Sequence, residues 1–120
     1  MAILGAVQAV RIFVSDLDRA RKFYSETLEL EEQSVETTYV VYGLSGVDVV
    51  IEAAPPDNPE AEGLVGRLLA VSFQVDDIVD AYRCLLERGV PFIQPPEVQP
   101  WGGTLAFFRD PDGNILTLAG

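Results

Sequence analysis

The segment VRIFVSDLDRARKFY (residues 10–24) decides the fold, because a second segment, VSFQVDDIVDAYR (residues 71–83), repeats its pattern. Val14 and Val75 are separated by 61 residues, and the aspartates and alanines that follow them keep the same separation. In both copies, apolar residues first alternate along the chain and then recur at helical spacing. A strand that runs directly into a helix is therefore predicted twice, and the chain is predicted to consist of two similar halves.

Short polar side chains precede both predicted helices. Ser15 or Asp16 is expected to cap the first helix, and Asp76 or Asp77 the second, because a side-chain oxygen there accepts a hydrogen bond from a free N–H of the first turn. Gly89 is expected to end the second helix, since glycine readily adopts the left-handed conformation that follows many helices.

Three short strand candidates follow each helix. After the first helix the predicted strands are 30–35, 38–44 and 48–53. After the second helix they are 91–98, 104–109 and 114–118, and the strand that precedes this helix is 69–75. Asp110-Pro111-Asp112-Gly113-Asn114 is a tight turn, because proline presets one dihedral angle and glycine permits positive φ. The fold class is therefore α+β, with two βαβββ modules.

The chain of 120 residues is predicted to form a single domain, 1–120. Module one is expected to span residues 1–53 and module two residues 68–120. The stretch between them, 54–67, contains three prolines and several acidic residues and is interpreted as the linker.

The composition excludes several kinds of partner. The formal net charge of −11 would be repelled by the phosphates of nucleic acid and by anionic membranes, so neither is expected as a partner. No apolar run approaches the roughly 18 residues of a membrane-spanning helix, and the N-terminal residues show no basic leader, so a cytoplasmic location is expected. The one cysteine, Cys84, cannot form an internal disulfide and is expected to be a passive buried thiol.

The chain resembles the vicinal-oxygen-chelate superfamily, which includes glyoxalase I, extradiol dioxygenases, fosfomycin resistance enzymes and bleomycin-binding proteins. The resemblance rests on Val14-Ser15-Asp16-Leu17 followed by Phe23-Tyr24, and on FRDPDGN at residues 108–114. It implies that each βαβββ module curls into a half-barrel cup. Pro100-Trp101-Gly102-Gly103, followed by a strand, resembles the bleomycin-resistance branch in particular. That likeness implies a homodimer with ligand cavities near its interface and an aromatic side chain that stacks on a flat ligand.

Metal-using members of this superfamily place one metal ligand on each of four strands. The resemblance puts those positions at Ala9, Glu52, Ala70 and Thr117, and the chain contains no histidine. Only Glu52 carries a good metal-binding group, whereas a catalytic divalent metal commonly needs about three protein ligands. The sequence therefore predicts no metal and no cofactor at these positions.

Small residues at three of these positions leave volume that suits an organic ligand. The predicted ligand-binding residues are Arg11, Phe13, Glu52, Trp101, Phe108 and Thr117. Glu52 could pair with a ligand cation, act as a base, or pair internally with Arg11, which could itself bind an anionic ligand. Phe108 is preferred to Phe107 because it shares strand parity with the small residues Thr104 and Ala106. The choice between Tyr39 and Tyr42 stays open, since they point to opposite faces of one strand.

These observations favour a metal-independent protein that binds and sequesters a small aromatic or cationic compound. No catalytic residue is assigned, because the sequence offers no histidine for a Ser-His or Cys-His pair. The alternative is an enzyme of the same fold, a lyase, isomerase or dioxygenase, that uses Glu52 or a displaced metal site. A third hypothesis is an interaction module, or an inert relic of the fold, whose cup is filled.

Overall fold

Two four-stranded sheets and two α-helices form this chain in a computed structural model that describes residues 2–55, 57 and 63–120. The elements are β1 (Ala9–Val14), α1 (Leu17–Lys22), a π-helical turn (Phe23–Thr27), β2 (Glu32–Val35), β3 (Tyr39–Leu44), β4 (Val47–Ala53), β5 (Leu68–Gln74), α2 (Ile78–Glu87), β6 (Phe92–Val98), β7 (Thr104–Arg109) and β8 (Ile115–Ala119). Part of the predicted linker, namely residues 56 and 58–62, lies outside the described residues. Within the described ranges, no helix is long and apolar enough to span a membrane.

The two sheets have the same topology. The first has the strand order β1-β4-β3-β2 and the second the order β5-β8-β7-β6. In each sheet the strand before the helix pairs in parallel with the last strand of the module, and the remaining pairs are antiparallel. The predicted α+β fold with two βαβββ modules is confirmed.

Aspartate caps begin both helices, which settles the alternatives that the sequence left open. The Asp16 side chain accepts a hydrogen bond from the backbone N–H of Arg19 at 3.1 Å, and Asp77 accepts one from Asp80 at 3.0 Å. Gly89, with φ +85°, follows α2 as predicted. The first helix instead continues into the π-helical turn.

One buried cluster fills the space between the two modules and their helices. Ile12 and Ile51 contribute from the first sheet, and Leu116 and Leu118 from the second. Tyr24, which follows α1, lies in the same cluster. Each of these apolar side chains stabilises the fold by about 1.5–3 kcal/mol through burial. Each sheet therefore turns one face toward a shared core and leaves the other face open.

The Asp110–Asn114 turn joins the second module to the first. The buried carboxylate of Asp110 accepts a hydrogen bond from the Tyr24 hydroxyl at 2.7 Å, and the Asn114 side-chain amide donates to the Phe13 carbonyl at 3.0 Å. Gly113, at φ +82°, allows the chain to reverse here. Burial, followed by the charge of Asp110, raises the pKa of Tyr24, so its hydroxyl stays a hydrogen-bond donor.

Candidate functional site

The faces of the sheets that point away from the shared core carry most of the predicted site. Strand register defines both faces, because residues directly opposite one another on paired strands share a side of the sheet. The first open face consists of Arg11, Phe13, Tyr39, Val41, Val50 and Glu52. The second open face consists of Ser72, Gln74, Leu105, Phe107, Thr117 and Ala119.

Arg11 and Glu52 form an ion pair at the centre of the first open face. The Arg11 Nε lies 2.6 Å from one carboxylate oxygen of Glu52, and an Nη lies 3.0 Å from the other. The guanidinium carbon lies 5.1 Å from the centroid of the Phe13 ring, in a cation–π arrangement. The hydrogen bond to Glu52, and then its charge, raise the pKa of Arg11. Of the roles that the sequence left open for Glu52, this geometry realises the internal pair with Arg11.

Tyr39 also lies on this face, although the sequence left the choice between Tyr39 and Tyr42 open. Tyr39 lies directly opposite Glu52 in β3 and is 37% exposed, whereas Tyr42 is buried in the core. Because β1 and β3 flank β4, the Phe13 and Tyr39 side chains arise from strands about 10 Å apart. Two aromatic side chains therefore border the Arg11–Glu52 pair.

Phe108 does not line the open face, so this site prediction is wrong. Its side chain is 1% exposed, lies opposite Leu116, and packs in the core with its ring centroid 5.6 Å from that of Phe92. Ala106, whose strand parity was the reason for preferring Phe108, is itself buried in the core. Phe107 takes the open side instead, because its register partner is Thr117.

Thr117, one of the predicted ligand-binding residues, lies on the second open face. It pairs with Ser72 on one side and with Phe107 on the other. Ser72 is exposed, whereas Thr117 itself is buried. The second open face is thus a polar strip beside one aromatic ring, and strand register places the charged residues Glu97 and Arg109 on the same side of the sheet.

The residues at the four metal-ligand positions do not fit a divalent ion. Ala9 and Ala70 have no donor atom, and both oxygens of Glu52 already accept hydrogen bonds from Arg11. Ala70 lies in a bulge of β5 with φ +52°, so the regular alternation of a strand does not set the direction of its side chain. Within residues 2–55, 57 and 63–120, His, Cys, Asp and Glu form no group of three or more that could hold a metal. We therefore derive no chemistry through a metal at these positions.

Trp101 is separated in the fold from the Arg11–Glu52 pair. It lies at the turn between β6 and β7, on the second sheet, and is 69% exposed. Its ring lies over Gly103, where an added Cβ would clash with the ring carbons. Glycine at this position therefore allows the indole to fold back over the hairpin while its outer face stays open to solvent.

The family of this chain follows from comparison with known proteins. Residues 6–118 match the model of the Glyoxalase/Bleomycin resistance protein/Dioxygenase superfamily, and the chain belongs to this superfamily. It superimposes on a crystal structure of a member from Sphaerobacter thermophilus DSM 20745 with a TM-score of 0.81, at 32% sequence identity and with 98% of each chain covered. The resemblance inferred from the sequence is thus confirmed.

Two curated proteins are similar to this chain in sequence. An uncharacterised protein of Bacillus subtilis (strain 168) is 25% identical over 119 residues, which cover 91% of this chain and 93% of that protein. A bleomycin resistance protein of Klebsiella pneumoniae is 40% identical over 52 residues, which cover 38% of this chain and 41% of that protein. The second relative has the higher sequence identity, but the matching segment covers less than half of either chain.

Proposed function

We propose that this protein binds a planar organic compound on its open faces and does so without a metal at the superfamily's usual positions. The observation that carries the proposal is the bidentate Arg11–Glu52 pair, which occupies the only metal-binding side chain of the four. Alanine and threonine at the other positions supply shape rather than coordination. Recognition would therefore rest on stacking and hydrogen bonding.

The aromatic side chains favour a flat ligand. Phe13 and Tyr39 border the ion pair on the first open face, Phe107 lies on the second, and Trp101 is exposed at the hairpin. A cationic ring suits them, because the negative faces of aromatic rings attract cations and the net charge of −11 attracts them over longer distances. The partial likeness to a bleomycin resistance protein supports sequestration of such a compound.

A second copy of the chain would complete the site. The shared core lies on the other side of both sheets, so each open face supplies only one wall of a cup within a single chain. We propose a homodimer in which the first open face of one copy meets the second open face of its partner. Sedimentation equilibrium is expected to give twice the chain mass, and a monomer at micromolar concentration would contradict the dimeric site.

The proposed function is tested by titrating the protein with proflavine, a planar aromatic cation, and with metal-free bleomycin. Trp101 is the only tryptophan, so quenching of its fluorescence reports binding near the hairpin. Replacing Trp101 by Ala is expected to weaken binding, measured by calorimetry, by about 2- to 12-fold through loss of a stacking contact. The control is Val98→Ala, which changes an exposed aliphatic residue of the same hairpin.

Two outcomes would overturn the proposal. If neither proflavine nor metal-free bleomycin binds saturably, the proposed ligand class is wrong. One equivalent of a divalent ion, found by elemental analysis of protein purified without chelator, would contradict metal independence. The second outcome would favour an enzyme of this superfamily with a displaced metal site.

A further inference from the structure

A separate apolar cavity lies between the two modules, on the core side of the sheets. Its volume is about 270 Å³. Its lining includes Leu28 and Leu44 from the first module and Phe73, Ala81, Leu85 and Phe108 from the second. Gln74 is the one lining residue that also belongs to an open face, at its edge, and the apolar lining lies on the core side, away from the Arg11–Glu52 pair.

The internal repeat explains why this cavity exists. Phe23 and Tyr24 follow α1, and the positions 61 residues later are Cys84 and Leu85 in α2. Phe23 and Tyr24 are buried and fill their end of the junction between the modules. Cys84 and Leu85 have less side-chain volume, are only partly buried, and line the cavity instead. Phe23 and Tyr24 lie in the π-helical turn and Cys84 and Leu85 lie in α2, so smaller side chains and a different helical backbone together leave this space.

The cavity has a charged mouth. Arg88 and Glu29, which both line the cavity, form an ion pair of 2.8 Å. The same Nη of Arg88 donates to the Thr27 carbonyl at 2.8 Å, which holds the guanidinium in place. The Glu29 side chain is 68% exposed, and such a surface ion pair is worth only about 0–1 kcal/mol. Another carboxylate can therefore replace Glu29 at little cost.

We propose that the cavity binds a small arylalkyl monocarboxylate, with its ring among the leucine and phenylalanine side chains and its carboxylate on Arg88. An apolar cavity of roughly 150 Å³ holds one benzene ring, so this larger space admits a ring with a short aliphatic chain. Arg88 supplies the only positive charge among the lining residues, and a guanidinium pairs well with a carboxylate. The carboxylate of the ligand displaces that of Glu29.

The first test compares 4-phenylbutyrate with 4-phenylbutan-1-ol by isothermal calorimetry on the full chain. Both are expected to bind saturably, and the acid is expected to bind about tenfold more tightly because only it forms the charged hydrogen bond. Replacing Arg88 by Gln is expected to abolish that preference and to leave the affinity for the alcohol unchanged. The control is Arg83→Gln, an exposed arginine of α2 outside the cavity lining. An acid that binds no better than the alcohol would overturn the proposal.

The second test locates the bound probe through Cys84, the only cysteine of the chain. Saturating 4-phenylbutyrate is expected to slow alkylation of the Cys84 thiol by N-ethylmaleimide by about tenfold, since the bound ring covers the lining. Cys84→Phe is expected to fill the cavity and to weaken binding of both probes by a similar factor. An unchanged alkylation rate would overturn the proposal even where the filled variant fails to fold.

The open-face site and the cavity can be tested independently of one another. Trp101→Ala, which is expected to weaken proflavine binding, leaves the cavity lining intact and is expected not to change the affinity for 4-phenylbutyrate. A parallel loss of both ligands in Trp101→Ala would mean that the arylalkyl acid binds at the hairpin, and it would overturn the cavity assignment.

Discussion

The two modules meet at two ends that the internal repeat makes equivalent, yet one end is closed and the other is hollow. At the closed end, Tyr24 reaches from the first module to Asp110 of the second. At the hollow end, Leu85 occupies the repeat position of Tyr24 and lines a cavity of about 270 Å³. The strand topology is the same at both ends, but Tyr24 lies in the π-helical turn and Leu85 in α2. Local backbone, side-chain volume and one hydroxyl together decide whether the junction is packed or open.

This difference assigns separate roles to the two ends. The closed end contributes buried hydrogen bonds that fix the modules to one another, and the hollow end contributes less packing and leaves room for a ligand. Variants that damage each end are therefore expected to have unequal effects on stability, and four predictions test or refine this contrast.

The largest effect is expected for Asn114→Ala at the closed end. The buried Asn114 side chain accepts hydrogen bonds from the backbone N–H groups of Gly66 and Arg67 and donates to Phe13 and Asp110. Losing these buried bonds is expected to lower the free energy of unfolding by about 3–5 kcal/mol, measured by urea denaturation.

A matched control for Asn114→Ala is Gln99→Ala. The Gln99 side chain makes one hydrogen bond, to the Glu97 carbonyl of its own hairpin. Its removal is expected to cost less than about 1 kcal/mol. If both variants cost the same, the closed end does not hold the modules together as described.

Tyr24→Leu places at the closed end the same type of side chain that Leu85 supplies at the hollow end. Removal of the buried ring and its hydroxyl is expected to cost about 2–4 kcal/mol of unfolding free energy, because a cavity forms and Asp110 loses a donor. Tyr24→Phe retains the ring and is expected to cost about 1–2 kcal/mol. The exposed Tyr39 serves as control, and a cost of Tyr39→Phe equal to that of Tyr24→Phe would remove the contrast between the hydroxyls.

Acid titration tests the contact between the first helix and β2. Glu32 accepts hydrogen bonds from Arg21 at 2.6 Å and from Ser25 at 2.7 Å, and chiefly the Arg21 hydrogen bond lowers the pKa of Glu32 to about 2. Below the usual Glu pKa of 4.5, the unfolded chain therefore binds the proton first, and stability falls as the pH drops toward 2.

Glu32→Gln is expected to remove this part of the pH dependence. Urea denaturation at about pH 5 and about pH 3 should give a smaller loss of stability in the variant than in the wild type. Ser25→Ala removes only one of the two hydrogen-bond partners of Glu32. Its loss of stability between the two pH values is expected to lie between that of the wild type and that of Glu32→Gln. A loss in Glu32→Gln that equals the wild-type loss would show that Glu32 does not anchor the helix.

The smallest effects are expected at another pair of repeat positions, Ala9 and Ala70. Ala70 has φ +52° in a bulge, whereas Ala9 lies in the regular strand β1. Ala70→Gly is expected to raise the free energy of unfolding by up to about 1 kcal/mol, because glycine adopts positive φ without strain. Ala9→Gly is expected to lower it by about 0.5–1 kcal/mol. Thermal unfolding measures both changes. If both substitutions change the free energy of unfolding in the same direction, the bulge is not strained.

Local features of the fold were predictable from the sequence. The strands 39–44, 47–53 and 104–109 lie within one residue of the predicted ranges, and α2 is followed by Gly89 as expected. Caps, turns and helix ends depend on neighbouring residues and on the φ angles that proline and glycine allow. Such features are present in a short segment before any long-range contact forms.

The candidate site was only partly predictable. Arg11, Phe13 and Glu52 were placed together correctly, because alternation along β1 and β4 sets their face. Phe108 was placed on the wrong face and Tyr39 was left undecided, since both depend on how β3 and β7 pair with their neighbours. A shift of one residue in strand register moves every side chain to the opposite face.

By itself, the sequence determined two βαβββ modules, the start of each helix to within one residue, a tight turn at residues 110–114, and a donor set with no histidine. Tertiary structure alone decided that Glu52 pairs with Arg11, that Phe107 rather than Phe108 faces outward, and that one module junction is hollow. The physical reason is range: hydrogen bonds and dihedral preferences act between neighbours, whereas strand register and packing volume depend on residues brought together only by folding.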